Sequence, residues 1–367
     1  MLASARNPLR APAVLRGRGR GNAEVLASPR SPLRRLADCW GLTPGIGPPC
    51  ETVGLAARDG VRLAASYLPG PRAGGPAVLI APGFAGHRTK PAYALLAERL
   101  AERVGVLALD LRGHGGSGGR CTFGVREVLD VAAGADWLRV RGHGWVGAIG
   151  ASMGGAAVLR AAGLGRTGRL DAVCAISAPA RWGQPAGAGD PGPRTGAGDP
   201  GRDAVDAAMH DDAVDAARRD ALDPSGQDLV DVAAHHAVDS PGVPQTPAMR
   251  GISRTVTVGW YRALVGGLLH VRIAPNPWSA PAVPLAPLDL VGAIAPVPLL
   301  VVHGADDHYF PPSQAELLYA AAAEPRALWL EPVGFGHAED GLRSPFVDDL
   351  ARAVLSCATT GSWPTHR

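Results

Sequence analysis

The residues GAIGASMGGAAVL, from Gly147 to Leu159, set one serine among neighbours with almost no side chain. Ser152 lies between Gly150 and Gly154, and Gly155 follows directly. Upstream, WVGAIG (Trp145 to Gly150) reads as a short buried strand; downstream, MGGAAVLRAAG reads as a helix of small residues. A sharp strand-to-helix turn forces its central residue into strained backbone geometry. It admits only tiny side chains two positions before and after. The turn lifts the serine hydroxyl above a sheet edge, and the helix behind it offers free N–H groups and a positive dipole end. Gly150-Ala151-Ser152-Met153-Gly154 is therefore a G-x-S-x-G elbow, a pattern that gains its meaning from the strand–turn–helix setting.

The same rhythm extends both ways. TVGLAARDGVRLAASYL (Thr52 to Leu68) holds two apolar-rich runs around Asp59-Gly60, which predicts a hairpin. AVLIA (Ala77 to Ala81) precedes the helical KPAYALLAERLAER, and VGVLALD (Val104 to Asp110) precedes a Gly-rich loop and REVLDVAAGADWLR. Beyond the elbow come DAVCAIS (Asp171 to Ser177), PLLVVHG (Pro298 to Gly304) and RALWLEP (Arg326 to Pro332). Short apolar runs alternating with helical stretches predict an α/β fold with a doubly wound, mostly parallel sheet.

Composition divides the chain into ordered and loose parts. With 46% hydrophobic residues, 367 residues suffice for one α/β domain carrying insertions. Residues 1–36 hold eight Arg against one acid, Glu24, and read as a disordered basic extension. Their longest apolar run, APAVL, is too short for a secretory signal. Residues 183–250 repeat GAGDPG and DAVDAA and carry twelve Asp but no Glu. The DAVDAA repeat has a nine-residue period, half a turn out of phase at roughly 100° per residue, so Val205 and Val214 cannot share a helix face. This segment reads as a low-complexity acidic insert. Its His210, Asp211, Asp212, His235 and His236 have no metal-ligand spacing. Residues 251–285 regain apolar content in TVGWYRALVGGLLHVRIAPNPW, read as a cap helix and turn. The α/β core then occupies residues 37–182 and 286–367.

The five cysteines are scattered and form no CxxC pair, which fits reduced thiols in a cytoplasmic protein. A net charge of +3 is too small to predict a polyanion partner, and no apolar run reaches membrane-spanning length. Neither nucleic acid nor stable membrane insertion is expected. The oligomeric state is left open.

A serine needs a base, and the base needs an orienting carboxylate. Both follow later strands. ADDHYFPP (Ala305 to Pro312) comes after PLLVVHG, and VGFGHAED (Val333 to Asp340) comes after RALWLEP. A loop histidine or an Asp pair after a strand is usually unremarkable when met singly. Ser152, then Asp306 or Asp307, then His337, each just past a strand, match the order of a Ser-Asp-His triad on such a sheet.

APGFAG (Ala81 to Gly86), DLRGHGGSGG (Asp110 to Gly119), GASMGG (Gly150 to Gly155) and HGADDHYFPP with GFGHAE together resemble the α/β-hydrolase superfamily, specifically its serine esterase and lysophospholipase-like, serine aminopeptidase-like members. The resemblance runs from about Thr52 to Cys357, the insert excepted. It implies an eight-stranded-type sheet with a cap or insert between the nucleophile and acid segments. It assigns the acid to Asp307, with Asp306 as the alternative, and the oxyanion N–H groups to Phe84 and Met153. Many relatives carry His-Gly where this chain has Pro82-Gly83, which alters the hydrogen bonding of that loop but not the backbone donor. Asp110, Arg112, His114 and Ser117 read as loop structure rather than chemistry. Trp182, Trp260 and Tyr261 are candidate substrate contacts.

The implied reaction is hydrolysis of a small-molecule carboxylic ester or related acyl bond through an acyl-enzyme, with no metal or organic cofactor. Peptidase, thioesterase and C–C hydrolase chemistry use the same triad, and a non-catalytic ligand-binding homologue is the rival from another class. Relatives with an aspartate nucleophile are excluded by the serine at position 152.

Overall fold

Five strands in this chain are apolar along almost their whole length, and that dictates their place. β3 (Ala77–Ala81), β4 (Gly105–Leu109), β5 (Val146–Ala151), β6 (Ala172–Ile176) and β7 (Leu299–Gly304) are buried at every residue. Continuous apolar strands belong in a sheet covered on both faces. β1 (Glu51–Ala56), β2 (Arg62–Leu68) and β8 (Arg326–Glu331) alternate buried and open positions and lie toward the edges. The computed structural model describes residues 51–165, 170–181, 258–275 and 284–365. The 1–36 extension, the 183–250 insert and Trp182 lie outside the described residues.

The eight strands form one sheet in the order β1-β2-β4-β3-β5-β6-β7-β8. β2 pairs antiparallel with both β1 and β4, and the remaining pairs are parallel. Alternate residues of each strand feed two cores. Leu79, Leu107 and Val173 face one cluster; Val78, Ile80, Val106 and Cys174 face the other. The first is covered by α2 (Glu127–Val140) and α3 (Met153–Gly163), which supply Val131, Leu138 and Val158. The second is covered by α1 (Pro91–Ala101) and α7 (Phe346–Thr360), which supply Leu96, Leu100 and Val354. Pro91 opens α1 at a position where its missing N–H costs nothing. Gly361 closes α7 in the left-handed conformation at φ 76°.

Three further α-helices lie among the described residues: α4 (Gly259–Leu268), α5 (Pro287–Leu290) and α6 (Ser313–Ala321). α4 is the helix expected within TVGWYRALVGGLLHVR. None of its residues is buried, and Trp260, Leu264 and Leu268 stand open. The strap after it is tied down: Ile273 bridges Cys121, and Val271 and Ile273 are buried in the first core.

The strand order also places the site. From β3 the chain winds to β4 on one side, and from β5 it winds to β6 on the other. Where winding reverses, the carboxyl ends of the two central strands leave a crevice, here between β3 and β5. The Pro82-Gly83-Phe84 loop leaves β3 at that crevice, and Ser152 leaves β5.

Candidate active site

Ser152 sits at φ 51°, ψ −116°, between the last residue of β5 and the first of α3. Its N–H still continues the sheet, donating to Ile176 O at 2.8 Å, while its own carbonyl accepts the N–H of Ala156 at 3.0 Å and starts the helix. One residue thus belongs to a strand on one side and a helix on the other. The positive φ follows from that double membership. The glycines around it are a steric requirement. A Cβ on Gly154 would fall on the carbonyl of Ala81, and one on Gly150 on the carbonyl of Gly154. A Cβ on Gly155 would lie 2.8 Å from that of Ala178.

The Ser152 hydroxyl lies 2.9 Å from His337 Nε2. His337 Nδ1 lies 2.8 Å from Asp307 Oδ2. With an ionised carboxylate at Nδ1, that nitrogen carries the proton and Nε2 is left to accept from the serine. The other carboxylate oxygen, Oδ1, accepts N–H bonds from Tyr309 at 2.8 Å and Phe310 at 2.9 Å. Burial opposes ionisation of Asp307. The hydrogen bond and charge of His337 and the two backbone donors outweigh burial and hold the carboxyl below its ordinary value. Of the adjacent aspartates, only Asp307 reaches the imidazole among the described contacts. Asp306 turns outward and accepts the N–H of Gly334 at 2.6 Å, closing the loop after β8.

Aromatic rings crowd His337. The Tyr309, Phe310 and His308 rings lie 4.5, 5.5 and 6.2 Å from the His337 ring. Beneath Asp307, the fully buried His303 donates from Nε2 to Phe310 O at 3.0 Å, with the same nitrogen 3.5 Å from Asp307 Oδ2. Burial pushes its pKa down, so this imidazole is neutral near pH 7. Past the base, Ala338 is held at φ 43°, its N–H donating to Ser177 Oγ at 3.1 Å.

Across the crevice, Gly83 lies so near the elbow that an added Cβ would be 3.3 Å from that of Ser152. Its N–H donates to the hydroxyl of Tyr93 at 2.9 Å. Burial keeps that phenol well above its ordinary pKa, so it is a neutral hydroxyl. Phe84 is half-buried; its ring stacks on Phe123 at 4.9 Å and meets His114 edge-on at 5.9 Å. Met153 is buried, with its sulfur 3.5 Å from Cys121 Sγ. Phe84 and Met153 are thus the residues that follow, respectively, the Pro82-Gly83 turn after β3 and Ser152.

The Asp110 to Ser117 loop is a hydrogen-bonded scaffold. Asp110 accepts from the N–H groups of Arg88 at 2.8 Å and Gly116 at 2.9 Å. Arg112 grips Asp130 through Nε at 3.0 Å and Nη2 at 2.7 Å, and Asp59 through Nη1 at 2.6 Å. His114 donates from Nδ1 to Arg112 O at 3.0 Å, and Ala64 N–H donates to Ser117 Oγ at 2.8 Å.

Of the sequence-derived substrate contacts, Trp260 and Tyr261 lie on α4. Trp260 is 72% exposed, and the Trp260 and Tyr261 rings pack edge-on against each other at 5.7 Å. Tyr93, Ser177 and His303 escaped the sequence reading because their partners, Gly83, Ala338 and Phe310, are set by how the loops fold and not by any residue pattern. His303 had a visible signal, since it lies next to the end of the strand before the aspartate pair. Among the described residues, no group of three or more His, Cys, Asp or Glu could hold a metal, and no helix is long and apolar enough to cross a membrane.

Comparison with known proteins agrees with this architecture. A family model described as alpha/beta hydrolase fold matches residues 76–201, the segment from β3 through the elbow and past β6. The esterase Pf2001 of Pyrococcus furiosus is 18% identical, with 84% of this chain and 91% of that one covered at a TM-score of 0.51. The α/β hydrolase GrgF from Penicillium sp. sh18 is 18% identical over 84% and 98% of the two chains, at 0.52. A thermophilic esterase from Thermogutta terrifontis is 20% identical over 84% and 100%, at 0.50. No curated protein matches the sequence significantly. The sheet, the elbow and the family match define an α/β-hydrolase fold. Over residues 76–201 the chain matches the α/β-hydrolase fold family, and its likeness to the solved structures is one of fold.

Proposed function

We propose that this protein is a serine hydrolase that cleaves carboxylic esters of small or medium acyl groups through an acyl-enzyme. The observation that carries the reading is the unbroken chain Ser152 Oγ–His337 Nε2 at 2.9 Å and His337 Nδ1–Asp307 Oδ2 at 2.8 Å. His337 takes the proton of Ser152 as Oγ attacks the ester carbonyl. Asp307 holds the tautomer and stabilises the imidazolium. The N–H groups of Phe84 and Met153 receive the developing oxyanion, a contribution of several kcal/mol to the barrier. Collapse of the tetrahedral species breaks the C–O bond, and His337 gives its proton to the departing alkoxide. A water molecule then loses a proton to His337 and attacks the acyl-enzyme, which releases the acid and restores Ser152. Every step uses groups of this chain, so the reading invokes no metal or organic cofactor.

Two of the similar folds belong to proteins named as esterases, which favours ester over amide chemistry. Cys121, Cys174 and Cys357 are buried free thiols, in keeping with work in the reducing cytoplasm. The test is hydrolysis of p-nitrophenyl esters of increasing acyl length by wild type and Ser152→Ala. Turnover that peaks at one chain length and disappears in the variant supports the reading. Turnover that survives in the variant, or none in a folded wild type, removes it.

A further inference from the structure

The start of α1 touches two parts of the site that face each other across Ser152. Tyr93, on its first turn, is 1% exposed and accepts the N–H of Gly83 at 2.9 Å. Gly83 directly precedes Phe84. Lys90, just before Pro91, places its ammonium 3.1 Å from Glu339 Oε1. Glu339 lies two residues beyond His337. The two loops leave different strands, β3 and β8, and both reach this turn and the elbow.

The turn itself is stiff. Pro91 fixes φ at the first helical position. Lys90 N–H donates to His87 O at 3.0 Å, and Ala94 N–H to Lys90 O at 2.9 Å. The segment it reaches is strained, since Ala338 has a positive φ at 43°. Such a conformation persists only when its surroundings hold it. The Lys90 side chain is 10% exposed and that of Glu339 33%, so solvent ions screen this pair less than a surface pair.

We propose that the first turn of α1 sets the distance between the oxyanion loop and His337, with Tyr93 and Lys90 as positioning residues for the reaction. This rests on the serine-hydrolase reading. Tyr93 fixes where the Phe84 N–H points. Lys90 fixes the His337 segment relative to the same helix through Glu339. A displacement of about 1 Å at either point costs up to about 10²-fold in rate.

The experiment measures kcat and KM for p-nitrophenyl ester hydrolysis, with thermal melts, in wild type, Tyr93→Phe, Lys90→Met, Glu339→Gln, the Lys90→Met/Glu339→Gln double variant and the Lys90→Glu/Glu339→Lys swap. Tyr93→Phe keeps the ring and removes the hydroxyl. It is expected to lose about ten- to a hundredfold in kcat with KM nearly unchanged. Lys90→Met and Glu339→Gln are expected to lose kcat by similar factors, the double variant no more than either, and the swap is expected to regain most of it. A structural role alone lowers the melting temperature and leaves kcat per folded molecule at the wild-type value. That result in Tyr93→Phe and Lys90→Met, beside an active wild type that depends on Ser152, overturns the proposal and leaves the functional reading intact. An inactive, folded wild type overturns both. Should Tyr93→Phe not fold, additive losses without rescue in the Lys90–Glu339 set overturn the proposal on their own.

Discussion

Ser152 and Asp307 are where single atoms decide the outcome. Asp307 offers one oxygen to two backbone N–H groups and the other to His337. Asp307→Asn keeps the shape but turns an amide toward Nδ1 and favours the wrong tautomer, so kcat is expected to fall by about 10³–10⁴-fold. Asp306→Asn keeps an acceptor oxygen for Gly334 and is expected to change kcat little. Steady-state ester hydrolysis of the two variants, side by side, checks the assignment. The pH dependence of stability has a definite sign. Asp307 has a folded pKa below its unfolded value, so its contribution is fully present above the unfolded value near 3.8 and is lost as pH falls through the lowered one. Acid unfolding followed by circular dichroism is therefore expected to be shallower below about pH 4 in Asp307→Asn than in wild type.

At the scale of elements, the β5–α3 elbow and the scaffold loop after β4 behave differently under mutation. Gly154→Ala drives a methyl into the carbonyl of Ala81, which is backbone and cannot move aside. It is expected to cost more than about 3 kcal/mol or to prevent folding, as read by chemical denaturation. Arg112 is paired on two sides inside the fold. Its loss strands the fully buried Asp130, so Arg112→Ala is expected to cost about 3–5 kcal/mol. Much at this scale was legible in the sequence. AVLIA, VGVLAL and LLVVHG could only be buried strands, and Asp59-Gly60 marks the turn of the β1–β2 hairpin. Other features were not. Glu127 and Asp130 are buried on α2, where a sequence pattern places charges outside; their partners, Thr122 and Arg112, become neighbours only when the loop after β4 folds back. The four-residue α5 has no period to read, and packing alone decides it: Leu290 sits where Gly163 leaves space on α3.

For the whole molecule, strand order carries the argument. The order of winding opens the crevice between β3 and β5, and Ser152, Phe84 and Met153 stand at its rim because their strands end there. The Ser152, Asp307, His337 order was legible because each follows an apolar run. The HGADDHYFPP segment pointed to Asp307 with Asp306 left open, and loop geometry brings Asp307 to His337, whereas the Tyr93 tie to Gly83 has no signal in any run of residues. All eight strands lie between Glu51 and Glu331. Removal of the Arg-rich residues 1–36 is therefore expected to leave kcat/KM for simple esters unchanged within about twofold, a change on the order of RT ln 2, assayed on the purified truncated chain.

The account stands most directly on Ser152 being a nucleophile activated by His337. Its sharpest test is intact-mass measurement after exposure to a fluorophosphonate, on folded wild type, Ser152→Ala and His337→Ala. The account predicts one adduct on wild type, located at Ser152, and none on either variant over the same interval. An unreacted wild type, or an adduct that persists in Ser152→Ala, would contradict it.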